Sequence, residues 1–142
     1  MNLKSFLFLL LTLIVIVSCN SKEEKNGYRH VLYRSVNNND TAILAINISD
    51  KRFYGRYEIS HYKFGKDSGD VRGDIFGDTL RGDFHYITYG GGWKRIPLAL
   101  LKKEDKLLLG SGVIGTFMNL PCFMPGTSID YTNSGFVFEE LK

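Results

Sequence analysis

A chain of 142 residues and 16.1 kDa has room for one domain of ordinary size and no second core. Its 18 Lys and Arg against 15 Asp and Glu leave a net charge of +3, with no basic block beyond pairs such as Lys102-Lys103, which excludes a nucleic-acid-binding footprint. Apolar residues make up 44% and there are two Cys, so composition excludes a polytopic membrane protein, a disordered chain, collagen and a disulfide scaffold, yet it names no activity.

The first element is Phe6 to Val17, an apolar run broken only by Thr12 and preceded by Lys4. A membrane-spanning helix needs about 20 apolar residues, so this run is too short to be a permanent span and reads as a secretory signal. Ile16-Val17-Ser18-Cys19 closes it and resembles the lipobox of bacterial lipoproteins. That resemblance implies residues 1–18 as a signal peptide, lipidation of Cys19 with palmitate-type chains, and a protein held at a membrane by lipid. Residues 19–27 are then the lipidated Cys and a flexible polar tether, Asn20 to Gly27 carrying no apolar side chain. Lys22-Glu23-Glu24 resembles the short signal that directs Bacteroidota surface lipoproteins to the outer leaflet; a plain solvated linker is the alternative reading.

Residues 28–142 form the single domain. All 15 glycines lie beyond the signal, together with most of the aromatics, a combination that favours strands and tight turns. Strands are expected over 28–36, 41–48, 53–62, 93–101, 106–112 and 135–139. In 53–62, Phe53, Gly55, Tyr57, Ile59 and His61 share the inner face. The uniformly apolar 41–48 is expected to be buried on both sides. Turns fall at 37–40, 49–51, 65–69, 90–92 and 104–105.

Gly77-Asp78 is a two-residue hairpin turn, since glycine supplies positive φ. It sets Ile75 against Leu80, Asp74 against Arg81, Gly73 against Gly82, Arg72 against Asp83 and Val71 against Phe84. One face is then apolar, and the other carries two opposite-charge pairs worth about 0.2–1 kcal/mol each. A one-residue shift sets Asp74 against Asp83, so the charges select this register. The paired glycines either leave a gap that an aromatic fills or let the strands coil sharply. The expected fold is all-β: a single antiparallel meander of six to eight strands, closing as a small up-and-down barrel or a curled sandwich. Residues 113–133 resist assignment: 113–118 reads as strand or short helix, and 121–126 as irregular, because Pro121 and Pro125 interrupt any ladder.

Tyr54-Gly55-Arg56-Tyr57, Lys66-Asp67-Ser68-Gly69, Gly73-Asp74-Ile75, Gly77-Asp78-Thr79-Leu80, Asp83-Phe84, a glycine loop and the run from Lys94 to Leu101 together resemble small Bacteroidota-type lipoproteins of no assigned molecular function. The resemblance covers about residues 40–112. It implies an exported, outer-membrane, lipid-anchored β-domain and offers no catalytic residues to carry over.

Four Gly-Asp pairs invite a calcium reading, but the hairpin register sets Asp74 and Asp83 against arginines, and the spacing of an EF-hand is missing. His30, His61 and His85 lie on different strands without ligand spacing, His61 facing in and His85 out. No catalytic or metal set is assigned, and no cofactor. Cys122 is the one thiol left beside Cys19, open to burial, an intermolecular link or a nucleophilic role. Three readings follow. The first is a non-enzymatic lipid-anchored envelope protein. The second is a barrel binding a small apolar or aromatic ligand beside Tyr57, His61, Gly73, Gly82 and Tyr86. The third is an interaction or inhibitor module, with an envelope protein as partner, using residues 113–133.

Overall fold

The computed structural model describes residues 27–133 and 135–142; the expected signal peptide, the lipobox-like run with Cys19 and most of the expected tether lie outside them. Ten strands follow in order: β1 Arg29–Asn37, β2 Asp40–Ile48, β3 Arg52–His61, β4 Gly65–Phe76, β5 Thr79–Ile87, β6 Trp93–Lys103, β7 Lys106–Leu109, β8 Ile114–Phe117, β9 Leu120–Phe123 and β10 Val137–Glu140. Eight of them close a barrel in the order β1-β10-β7-β6-β5-β4-β3-β2, every pair antiparallel, while β8 and β9 form a separate two-stranded sheet. The fold is all-β as expected and, of the barrel and the curled sandwich, it is the barrel, closed through the short strands β7 and β10.

Alternation builds the core. Val31 and Tyr33 of β1, Leu44 and Ile46 of β2, Phe53 and Tyr57 of β3, Phe84 of β5 and Phe138 of β10 all turn inward and are buried. The β4–β5 hairpin holds the register expected, from Val71 opposite Phe84 to Ile75 opposite Leu80. Its charges regroup across the sheet, Asp74 meeting Arg52 of β3 at 3.4 Å and Asp83 lying 3.9 Å from Arg72 and 3.6 Å from Arg95 of β6. Gly73 and Gly82 face each other, and a Cβ on either would fall on the carbonyl of the opposite strand, Arg81 for Gly73 and Arg72 for Gly82. The two strands approach too closely there for any side chain, which is the sharp coiling that a small barrel requires.

Three expectations are corrected. Residues 65–69 are strand, because Ser68 donates to Glu58 at 2.8 Å and Lys66 to the same carboxylate at 3.2 Å, extending β4 to its full 12 residues; the turn falls instead at 62–64, with Lys63 at φ 65°. Strand β2 is not buried on both sides: Ala42, Leu44 and Ile46 are buried, while Thr41, Ile43 and Ala45, which alternate with them, are partly exposed. Pro121, in β9, lies within a ladder after all, opposite Thr116 of β8. Met124 N donates to Val113 O at 2.9 Å, so alternation makes Thr116–Pro121 a pair that exchanges no hydrogen bonds, and the missing N–H costs the ladder nothing.

Candidate functional site

The segment from Gly110 to Tyr131 leaves the barrel and returns to it as an arm. Gly110 N donates to Ala99 O at 2.8 Å, and Ser111 and Asp130 exchange backbone hydrogen bonds of 2.8 and 2.7 Å, which pins the two ends of the arm together. On the return, the Asp130 carboxylate accepts from Thr132 Oγ1 at 2.6 Å, Thr132 N at 2.7 Å and Asn133 Nδ2 at 2.9 Å. These hydrogen bonds, Thr132's hydroxyl first, push its carboxyl down to about 2.

The arm covers the outer face of β6. Leu98 and Leu100 point into the barrel, yet Pro97 and Ala99, which alternate with them and point out, are buried as well. Two-sided burial therefore belongs to β6. Its uniformly apolar stretch 96–101 is the same kind of signal that led to the two-sided expectation for 41–48, and only the covering arm separates the two cases.

Between arm and barrel lies an open groove of about 850 Å³. Phe76, Phe117, Leu120, Phe123 and Met124 supply its apolar walls, and Arg81, Asp83 and Arg95 its polar floor. Asp83 Oδ1 and Arg95 Nε, 3.6 Å apart, are shut off from water and make no hydrogen bond among the described residues. Their charges compensate each other at a separation too long for a hydrogen bond. Cys122 is half-buried in the same groove with its thiol free.

The arm is tipped by Phe117, 69% exposed, and Met118, 81% exposed. The β8–β9 turn has Met118 at φ 49° and Asn119 at φ 62°, the paired left-handed conformation of a type I′ hairpin turn. Asn tolerates it, whereas an unbranched apolar residue carries a cost of about 1–2 kcal/mol. Replacing both residues (Met118→Asn with Asn119→Gly) is expected to stabilise the domain by about 1 kcal/mol. Urea denaturation reads this, and an unchanged midpoint would show that the turn carries no strain.

A second cluster sits at one mouth of the barrel. His61, at the end of β3, has Nδ1 3.0 Å from Asp40 Oδ2 and Nε2 3.1 Å from Asp67 Oδ2. The other oxygen of each carboxylate accepts a loop N–H, Tyr62 N at 2.9 Å on Asp40 and Tyr89 N at 2.8 Å on Asp67. Burial pulls the imidazole pKa down, but the hydrogen bonds and charges of the two carboxylates together outweigh it and hold His61 above its ordinary value. The two ring nitrogens point to different carboxylates on opposite sides, so the trio clamps three connections and does not converge on one ion.

Of the residues singled out for an interior pocket, Tyr57 and Tyr86 are brought together. Phe84 stacks on Tyr86 at 4.3 Å and meets Tyr57 at 4.6 Å, and Tyr57 meets Phe138 at 5.7 Å. Burial, and secondarily Tyr86, raises the Tyr57 hydroxyl, which has no hydrogen-bond partner among the described residues. Tyr86 is raised by burial and by Asp67, the carboxylate that also holds His61. Gly73 and Gly82 belong to a different level of the barrel, in line with Phe53 and Leu98, while Tyr57 and Tyr86 flank Gly69. Among the other histidines, His85 packs on Trp93 at 4.7 Å on the outside and His30 lies 3.2 Å from Asn47. Asp40 and Asp67 escaped the sequence reading because both fell in segments read as turns. With β4 starting at Gly65, the alternation that turns Val71 and Gly69 inward also turns Asp67 inward, toward His61.

Comparison with protein-family models, with curated proteins and with solved structures finds no match for this chain.

Proposed function

We propose that this protein is a non-enzymatic, lipid-anchored lipoprotein of the cell envelope, at the outer membrane, in which the barrel is a scaffold and the arm over residues 110–131 is the contact element. The groove beneath the arm is the observation that carries the second half of this reading. It is open and walled by aromatic and aliphatic side chains, and its tip exposes large apolar groups to water, as surfaces built for association do. Two members of its polar floor, Asp83 and Arg95, are already paired with each other, and none of its described lining residues is a His that could activate Cys122. The interior-ligand reading is less favoured, because Tyr57 and Tyr86 are packed into a continuous stack of rings with Phe84 and Phe138.

The anchor half rests on Ile16-Val17-Ser18-Cys19. Radiolabelled palmitate is expected to enter the wild-type protein and not Cys19→Ala; label retained by that variant would refute the anchor. For the contact element, a photoreactive side chain at Phe117 is expected to form adducts in intact cells, whereas one at Phe64, in the β3–β4 turn, is not. Equal adducts at both positions would sink the assignment of the arm.

A further inference from the structure

We infer that the tip of the arm is a second membrane contact, seated in the headgroup region of the bilayer that holds the lipid anchor; this rests on the proposed anchoring and names the partner of the arm.

The position of the chain's first described residues points to it. Tyr28 packs edge-on against Tyr54 at 5.2 Å and borders a surface groove whose wall includes Arg81, Gly82 and Asp83. The same three residues floor the groove beneath the arm. The chain therefore enters the barrel on the face that carries the arm. Nine Cα-to-Cα steps, through Asn20 to Gly27, lead from Cys19 to Tyr28 and span at most about 32 Å even when fully extended. An acylated Cys19 thus keeps this face within the reach of that tether from the lipid surface, while the β3–β4 turn with Phe64 lies at the opposite end of the 12-residue β4 from Phe76.

The chemistry of the arm suits that neighbour. From Leu107 through Ile129, 23 consecutive residues contain no Asp, Glu, Lys, Arg or His, so the tip enters the interface without stripping water from an ion. Phe117 and Met118 are exposed, Leu120 is 49% exposed, and the paired β8–β9 ladder satisfies much of the hairpin's backbone. Side chains of this kind settle about 5–10 Å into the headgroup boundary. The acyl chains on Cys19 hold the protein at the bilayer but leave the domain free to turn on its tether, so what an apolar tip on the anchored face adds is a fixed orientation. The left-handed φ of Met118 fits this account, because a turn selected for stability alone would carry Asn or Gly at that position.

The test uses the full chain, expressed in a bacterial host, purified and reconstituted in phosphatidylethanolamine and phosphatidylglycerol vesicles brominated high in the acyl chains, with palmitate incorporation followed in the same preparations. Phe117→Trp in a Trp93→Phe background is the reporter, and Phe64→Trp in that background is the distal control. Emission from position 117 is expected to fall about twofold on the brominated vesicles, with position 64 unchanged. In the unsubstituted protein, amide exchange over residues 116–120 is expected to slow on vesicles, a readout independent of whether the reporter variants fold. Acylated protein with neither quenching at 117 nor slowed exchange would overturn the membrane contact and leave the anchor standing. Quenching at 117 without palmitate incorporation would retire the anchor and keep the contact. Loss of both overturns both. Equal quenching at 64 and 117, or shielding of 117 that appears only when envelope proteins are added, would also overturn it, the latter in favour of a protein partner.

Discussion

Gly82→Ala is expected to destabilise the barrel by about 3 kcal/mol or more, a large part of the 5–15 kcal/mol that holds a domain of this size together. The new Cβ would fall on the Arg72 carbonyl and come within 2.7 Å of Gly73 Cα, and the neighbours on both counts are backbone, which cannot swing aside as a flexible side chain can. The comparison that isolates this cause is Gly77→Ala. Gly77 also has a special backbone, at φ 60°, but its Cβ would meet nothing, so only the conformational cost of about 1 kcal/mol applies. Urea denaturation midpoints of the two variants decide the matter. Equal losses would show that β4 and β5 can separate at this level, and that the Gly73–Gly82 approach does not set the barrel's curvature.

His61→Gln is expected to cost about 1–2 kcal/mol near pH 6 and progressively less at alkaline pH. The groups that face the ring are Asp40 at the start of β2, Asp67 in β4 and the Tyr89 ring at 5.6 Å, with the Tyr86 phenol behind Asp67. Because the folded protein holds the imidazolium above its ordinary value of 6.5, the stabilisation is fully present below that value and is lost as pH rises through the raised one. On the acid side the sign reverses. Asp40 is lowered, first by the Tyr62 N–H and then by His61, so its contribution is present above its ordinary value of 3.8 and is lost as pH falls through the lowered one. Melting temperatures of the two proteins from pH 5 to pH 9 should therefore converge toward the alkaline end. A gap that stays constant across that range would mean that His61 holds the mouth by shape and not by charge.

Local sequence carried much of the barrel. The β4–β5 hairpin was legible residue by residue, since a two-residue turn fixes the pairing and the charges of Asp74, Asp83, Arg72 and Arg81 reject the neighbouring register. The inner face of β3 was legible from period-two alternation alone. The candidate site was legible only as a segment that fitted no ladder. Residues 113–133 stood out because 113–118 read equally as strand or short helix and Pro121 and Pro125 argued against any ladder, but nothing local says that such a segment doubles back on β6. That contact depends on Ser111 meeting Asp130 and Gly110 meeting Ala99, pairs separated by many residues. The His61 clamp was half visible. The histidine was placed on the inner face, while its two carboxylates were hidden by turn assignments that were displaced by a few residues.

From the sequence by itself came the antiparallel all-β class and one hairpin in register, and the lipobox resemblance at Cys19 on which the proposed anchor rests, because each depends on a short motif or on alternation within one or two strands. Only the tertiary structure decided which strand is covered on its outer face, where the arm lies, and how Asp40, His61 and Asp67 meet. Those are contacts between residues distant in the chain, fixed by how the barrel closes, and no local pattern encodes where closure brings two surfaces together.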